Sequence, residues 1–247
     1  MTHYRNYCDE FYVNLNLSTE MELPTNRDTL LHFFEQLQKR YPTMRNFYSR
    51  ERDEYILEED KDSGSYRWAT VDPKRICSGY VNPPSMEEAT SQHQLVLESV
   101  PYTLSVSPLD CESLNFMFGF DFTYRGNHHK LLADALGIPP AFEKLMDHPD
   151  RKLVSYEPIL QFAMDDDCRT QCRLSIETRT NAYQIRTGEF PEEQLSVYLT
   201  MRHYGSMSGK NALNTTLQKL QTLGTEILES HVIENVLVPL QQTIAIK

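Results

Sequence analysis

Polar side chains alternate with apolar ones in two segments of the C-terminal half of the chain. The polar residues of the first segment are Gln171, Arg173, Ser175, Glu177 and Arg179. Those of the second segment are Ser196, Tyr198, Thr200 and Arg202. Alternation with a period of two is typical of β-strands that bury one face. If the two strands pair, these side chains share the face that points away from the core.

This array allows two interpretations. Guanidinium and hydroxyl groups side by side favour a surface that binds an acidic or polar ligand, or a protein partner. The alternative is an ordinary solvated sheet face, in which cross-strand ion pairs each contribute about 0.2–1 kcal/mol. Solvent-facing sides of antiparallel sheets are common, so the array by itself does not establish a site.

Asp121 lies on the less apolar face of a phenylalanine-rich segment, close to Arg125 and Asn127. Its carboxylate could be buried with Arg125 as its partner and hold the turn that follows the strand. It could instead line a cavity as a general base, with a pKa raised by its surroundings. We favour the structural role, because perturbed carboxylates also occur in purely structural networks.

Three further motifs resemble ligand sites but depart from the known patterns. Gly205–Asn211 has too short a spacing between its glycines for a phosphate loop, and Asn211 replaces the Ser or Thr after the lysine. His128 and His129 are adjacent, so on a helix they point about 100° apart and rarely share an ion. Asp165-Asp166-Asp167 lacks the glycine and distal glutamate of a calcium loop. We therefore predict no metal site and no cofactor.

Composition excludes several classes of partner. The 247 residues include 24 Lys and Arg against 35 Asp and Glu, a net charge of −11. Nucleic acids and anionic membranes both need a basic surface, so neither is expected as a partner. No apolar run approaches the roughly 18 residues of a membrane span, and the N-terminus lacks a signal-peptide pattern. With five cysteines and no Cys-x-x-Cys pair, we expect a cytoplasmic protein with reduced thiols.

The elements that must position these residues follow from hydrophobic periodicity. In the first half we predict one strand, a helix, three strands and a second helix, closed or kinked by Pro101. The first helix starts at a Thr25–Asp28 capping box and stops at Pro42. The predicted strands are Phe11–Leu17, Phe47–Glu58, Tyr66–Val71 and Arg75–Val81, and the second helix starts at Ser85.

The second half begins with the most regular strand of the sequence, Leu114–Tyr124. One short helix is predicted from Asn127 to Gly137 and another from Pro140 to Met146. A long C-terminal helix starts at Leu213, and Pro239 kinks or ends it. The remaining predicted strands are Leu153–Met164, Arg169–Thr180, Tyr183–Thr187 and Gln194–Tyr204.

This order predicts an α+β protein built from two pseudo-repeated units, residues 1–110 and 111–247. Each unit is an antiparallel sheet with helices on one face, in the order β-α-βββ-α. The two sheets can join edge to edge into one longer sheet, which protects two edges and would make a single compact domain. The order resembles that of the helix-grip folds, which include carriers of hydrophobic ligands and the TATA-binding saddle; this is an analogy of topology only.

Three functional hypotheses follow, and none of the common catalytic motifs is present. The first is a non-catalytic binding or protein-interaction module that uses the polar sheet face; a homo-oligomer is compatible with this hypothesis. The second is a carrier of a small apolar molecule in a cavity between the sheet and the C-terminal helix. The third is an enzyme of an unlisted class with Asp121, Arg125, Glu177 and His203 as candidate groups. We rank them in that order. The surface residues that we select are Asp121, Arg125, Arg173, Glu177, Arg179, Tyr198 and Arg202.

Overall fold

Strands from both halves of the chain join in one sheet. The computed structural model describes residues 3–50, 53–146, 148, 150–209 and 211–247, and within these residues nine strands form an antiparallel sheet. The strands are β1 (Glu10–Thr19), β2 (Asn46–Arg50), β3 (Glu54–Glu58), β4 (Tyr66–Val71), β5 (Arg75–Val81), β6 (Cys111–Arg125), β7 (Ile159–Ala163), β8 (Thr170–Glu177) and β9 (Glu192–Tyr204). Their order across the sheet is β2-β3-β4-β5-β1-β6-β9-β8-β7. The predicted α+β class and antiparallel sheet are confirmed.

Helices cover one face of this sheet, and the long C-terminal helix is confirmed. The helices are α1 (Arg27–Arg40), α2 (Met86–Thr103), α3 (His128–Leu136), α4 (Pro140–Met146), α5 (Ala182–Thr187), α6 (Ala212–Ile227), a π-helical segment (Leu228–Leu237) and α7 (Val238–Ile246). α2 packs on β5, and α6 packs on β6 and β9. α6, the π-helical segment and α7 follow one another without a break, so the chain stays helical past Pro239.

The core lies between the sheet and the helices, and β6 is its centre. β6 pairs with β1 on one side and with β9 on the other, so both of its edges are satisfied. Leu114, Phe116, Phe118 and Phe120 are fully buried beneath the helices. Burial of each such side chain stabilises the fold by about 1.5–3 kcal/mol, which makes this face of β6 the main apolar contact between sheet and helices.

Several predicted boundaries in the first half are wrong. The single strand predicted over Phe47–Glu58 is a hairpin of β2 and β3, because Asp53 adopts a left-handed turn conformation with φ of 57°. Residues 51 and 52 of that prediction lie outside the described part of the chain. The N-cap of α1 is Asn26, whose side chain accepts the Thr29 amide, and not Thr25. Of the two effects predicted for Pro101, a kink or the end of α2, the second is wrong, because the helix continues to Thr103.

The second half also departs from the prediction at two places. Tyr183–Thr187 is not a strand but part of α5, which begins at a capping box of Asn181 and Gln184. The strand predicted from Leu153 to Met164 is confined to β7. The residues before Pro158 do not continue the strand. The Tyr156 amide donates instead to Nδ1 of His129 in α3, at 3.1 Å. The local capping box in the first segment and the Tyr156–His129 contact in the second override the apolar pattern of the sequence.

Candidate functional site

The sheet face opposite the helices carries four rows of side chains that cross β8, β9, β6 and β1. The strand register sets the members of each row. The first row is Gln171, Arg202, Asn115 and Asn16, and the second is Arg173, Thr200, Met117 and Asn14. The third row is Ser175, Tyr198, Gly119 and Tyr12, and the fourth is Glu177, Ser196, Asp121 and Glu10. We term these sixteen positions the open face.

A groove of about 420 Å³ runs over the middle of the open face. Its lining comes from five strands, since Gln161 of β7 joins residues of β8, β9, β6 and β1. Binding sites for small ligands have volumes of about 300–1,000 Å³, so the groove is large enough for a small polar molecule or a short peptide segment.

Gly119 lets an aromatic ring lie flat on the sheet at the floor of the groove. A Cβ atom at Gly119 would lie 2.1 Å from Cε2 of Tyr12, so the ring occupies the space of a missing side chain. The Tyr12 hydroxyl donates to Oδ1 of Asp121 at 3.1 Å. The Tyr12 ring also meets the ring of Tyr198 edge-on, with centroids 6.4 Å apart. Contacts across three strands therefore hold Tyr12 in place.

Two arginines make one end of the groove cationic. The Nε atom of Arg202 donates to Oδ1 of Asn115 at 2.7 Å, and one of its Nη atoms donates to the hydroxyl of Tyr204 at 2.9 Å. Arg173 is exposed beside it. In the part of the chain that the structure describes, neither Arg173 nor Arg202 forms an ion pair with a carboxylate. Their charges are thus available to a ligand.

A polar oxygen without a partner lies in the same groove. Oδ1 of Asn14 is buried and accepts no hydrogen bond from the described residues. Leaving a buried acceptor unpaired costs about 1–3 kcal/mol, so this position beneath the groove is a local destabilising feature.

The fourth row is acidic. Asp121 is almost fully buried, and burial raises the pKa of its carboxyl, although hydrogen bonds from Ser196 and Tyr12 act in the opposite direction. Burial also raises the pKa of Glu10, and the neighbouring charge of Asp121 adds to this effect. Glu177 is exposed and lies 3.8 Å from Arg179. The open face is therefore polarised, with positive charge in its first two rows and carboxyl groups in its fourth.

The predicted pairing of Asp121 with Arg125 is wrong. The two residues are four positions apart on an extended strand, a separation of about 13 Å. Arg125 instead lies opposite Glu192 and lines a separate groove of about 810 Å³ with Phe190. Arg179, just beyond β8, contributes a positive charge that lowers the pKa of Asp121 slightly against the larger effect of burial.

The four candidate catalytic groups do not come together. His203 lies on the helix-covered face, where its Nδ1 is 3.1 Å from the Thr170 hydroxyl. Asp121 and Glu177 lie on the open face with Ser196 between them. This arrangement removes the geometric support for a shared acid–base site.

The remaining sequence motifs have structural contacts. His128 and His129 are buried, and they accept or donate hydrogen bonds with the backbone of Tyr124, Tyr156 and Thr180. Asp165 accepts the Thr170 amide and closes the turn between β7 and β8. In the loop before α6, the carbonyl of Ser206 accepts from Arg169 at 3.0 Å, and Lys210 lies outside the described residues.

Sequence reasoning missed part of the groove. Tyr12, Asn14 and Met117 line it but were not selected, and neither was Gln161. The polar alternation of Tyr12 and Asn14 is visible in the sequence. The adjacency of β1, β6 and β9 is not, because it depends on pairing between residues about one hundred positions apart.

Among the described residues, no cluster of three or more His, Cys, Asp or Glu side chains is arranged to hold a metal ion. No described helix is long and apolar enough to cross a membrane. No family model matches the chain, and no curated protein shows significant similarity to it.

Proposed function

We propose that the protein is a non-catalytic binding module whose open face binds a polar ligand that carries a carboxylate or phosphate group. The observation that carries the proposal is the pair Arg173 and Arg202. Both guanidinium groups line one groove, and the described residues supply no carboxylate to neutralise either of them.

The spacing of the two arginines suits a single anionic group. Arg173 is paired with Thr200, and Arg202 is two residues further along β9, so the arginines are diagonal neighbours. Diagonal neighbours lie about 7–8 Å apart, a distance that two long side chains can close around one anion. Guanidinium groups bind carboxylate and phosphate oxygens through paired N–H donors.

The acidic fourth row restricts the ligand. A molecule with negative charge along its whole length would meet the exposed carboxyl group of Glu177 at the far end of the groove, with the buried Asp121 in the same row. The open face therefore favours a ligand with an anionic group at one end and hydrogen-bond donors at the other. With a net charge of −11, the protein repels anions at long range, so recognition depends on these local contacts.

The packing between the sheet and the C-terminal helix favours a binding site on the open face over an internal cavity for an apolar ligand. A Cβ atom at Gly224 of α6 would lie 2.9 Å from Cγ of Met201 and 3.0 Å from Cε2 of Phe118. The protein's own side chains fill the space at this contact, which is where the carrier hypothesis needs a cavity.

The proposal can be tested by NMR titration of the arginine Nε–H signals with three probes. Inorganic phosphate, free glutamate and an acidic peptide distinguish a small anion, an amino-acid-like ligand and a protein segment. We expect at least one probe to shift the signals of Arg173 and Arg202. Arg173→Gln and Arg202→Gln should each weaken binding about 10- to 100-fold, the equivalent of losing a charge-assisted hydrogen bond of roughly 1.5–3 kcal/mol.

Arg27→Gln is the matched control. Arg27 is exposed on α1, so its substitution changes the net charge by the same amount without touching the open face. The proposal is wrong if none of the probes shifts the two arginine signals, or if Arg27→Gln weakens binding as much as the groove variants do.

We also propose that the two halves of the chain are pseudo-repeats. Outward from β1 the neighbours are β5, β4, β3 and β2, and outward from β6 they are β9, β8 and β7. In both halves the first strand lies at the centre, its neighbour is the last strand of that half, and the others follow in reverse order. This likeness supports the helix-grip analogy.

A further inference from the structure

The outer edge of β7 is an unprotected strand edge. All five residues of β7 are exposed, none is charged, and no described strand pairs with its outer side. The opposite edge of the sheet is different, because β2 ends in Arg50 and its Phe47 packs against Phe34 of α1 with ring centroids 5.3 Å apart. Proteins usually protect free edges with charge, proline or a covering element, and β7 has none of these within its span.

The hydrogen bonds to β8 show which backbone groups of β7 face outward. The Met164 amide donates to the Thr170 carbonyl, and the Ile176 amide donates to the Pro158 carbonyl. Even-numbered residues of β7 therefore direct their backbone groups toward β8. In an antiparallel ladder the intervening residues point the other way, so the N–H and C=O groups of Ile159, Gln161 and Ala163 face the open edge.

We propose that a second copy of this chain pairs with that edge, β7 against β7, in an antiparallel register centred on Gln161. A two-fold axis through Gln161 places it opposite Gln161 of the second copy and places Ile159 opposite Ala163. Within the strand this is the only two-fold register that pairs the outward groups of all three residues. The pairing joins two nine-stranded sheets into one continuous sheet.

The side chains of β7 support a second copy as the occupant. In this register Leu160 lies opposite Phe162 of the second copy, and Phe162 lies opposite Leu160. Leu160 is 61% exposed and Phe162 is 40% exposed on the helix-side face, since α6 covers β6 and β9. In the dimer, each copy buries apolar surface of Leu160 and Phe162 that is exposed to water in the monomer. The same patch is used on both copies, as a two-fold interface requires.

Electrostatics also favour contact at this place. Each copy carries a net charge of −11, so association is easiest where the surface is neutral, as β7 is. Glu157 and Asp165 flank the strand and face each other across the axis. Their carboxylates accept hydrogen bonds from Thr178 and Thr170 of their own chain, so they are turned toward β8. The residual repulsion predicts that added salt strengthens the dimer.

A complementary-charge experiment tests this register. We expect the wild-type protein to show a concentration-dependent monomer–dimer equilibrium in sedimentation velocity, measured from the low-micromolar to the millimolar range. An interface of one short strand is smaller than about 1,200 Å², so the dimer should be weak. Gln161→Lys and Gln161→Glu should each be monomeric over this range, because each places two like charges on the axis. An equimolar mixture of the two variants should form a heterodimer, because opposite charges then meet on the axis. This result is expected only if residue 161 lies opposite residue 161 of the second copy.

Hydrogen exchange gives a second readout that does not need a variant. On dimerisation the amides of Ile159, Gln161 and Ala163 should become protected, whereas those of Leu160 and Phe162 are already bonded to β8. Ser49→Lys on the exposed β2 edge is the control and should leave the dimer intact. A wild-type protein that stays monomeric at all concentrations overturns the proposal. So does a dimer that survives Gln161→Lys, because the second copy then binds elsewhere.

Discussion

At the residue scale, Gly119 decides the shape of the open face. Its missing side chain leaves the space in which the Tyr12 ring lies, and that position lets the Tyr12 hydroxyl reach Asp121. Trp68 lies over Gly79 in the same way, where a Cβ atom would meet Cε2 of the indole at 2.2 Å. Gly79 of β5 lies opposite Asn14 of the open face. Glycine inside a strand normally weakens it, so two such positions under aromatic rings indicate close packing on this side of the sheet.

Gly119→Ala should lower the free energy of unfolding by about 1–3 kcal/mol, the usual cost of overpacking. The new methyl group would displace the Tyr12 ring and break its hydrogen bond to Asp121. Chemical denaturation of the single variants and the double variant measures this. In a Tyr12→Ala background the same substitution should cost less than about 0.5 kcal/mol, because the obstructing ring is gone. Equal costs in the two backgrounds would contradict the interpretation.

At the element scale, Arg67 of β4 ties the first half of the sheet to its helices. Its guanidinium lies between two rings, 4.7 Å from the centroid of Tyr41 and 4.2 Å from that of Tyr80. It also pairs with Glu59 at 3.2 Å and with Glu88 of α2 at 2.8 Å. A planar donor group is needed to stack on rings and bind two carboxylates at once, which lysine cannot do.

Arg67→Lys should therefore reduce stability by about 1–2 kcal/mol, since it loses ring stacking and one carboxylate contact. Arg67→Met should cost about 3 kcal/mol or more, because it leaves the buried Glu59 carboxylate without its charge partner. Urea denaturation measures both. The matched control is Arg75→Lys. The Arg75 side chain is 59% exposed, so its pair with Asp72 should contribute less than about 1 kcal/mol. Similar losses at positions 67 and 75 would show that stacking contributes nothing.

At the scale of the whole molecule, β1 and β6 join the two halves. They pair along the whole of β1, from Glu10 to Thr19, in the middle of the sheet. A border between residues 110 and 111 would therefore cut the centre of the sheet and expose β1. Because the described sheet is continuous across that border, we expect the two halves to unfold together.

We expect the protein to unfold in one cooperative transition. The only tryptophan of the sequence, Trp68, reports on the first half by fluorescence, and far-ultraviolet circular dichroism reports on all helices and strands. The two thermal transitions should coincide, and the calorimetric and van't Hoff enthalpies should agree. A fluorescence midpoint that is clearly separate from the dichroism midpoint would show that the halves unfold independently.

Prediction from the sequence succeeds where the signal is periodic and local. The alternation of Phe116, Phe118 and Phe120 predicts a strand with one buried face, and the structure buries all three completely. Asn127 marks the start of α3 by capping it, and Gly137, with a positive φ of 75°, marks its end; both ends are confirmed. It fails at Tyr183–Thr187, where the Asn181–Gln184 capping box outweighs an ambiguous apolar pattern.

By itself, the sequence determines the α+β class, the polar and apolar faces of β6, β8 and β9, and the charge balance that makes a basic nucleic-acid surface unexpected. Those properties depend on residue type and on spacing of a few positions along the chain. Only the tertiary structure brings Tyr12 and Asn14 beside Arg173 and Arg202, separates Asp121 from Arg125 and His203, and leaves β7 at an open edge. These outcomes depend on which strands pair, and long-range pairing follows from the packing of the whole core and not from any local pattern.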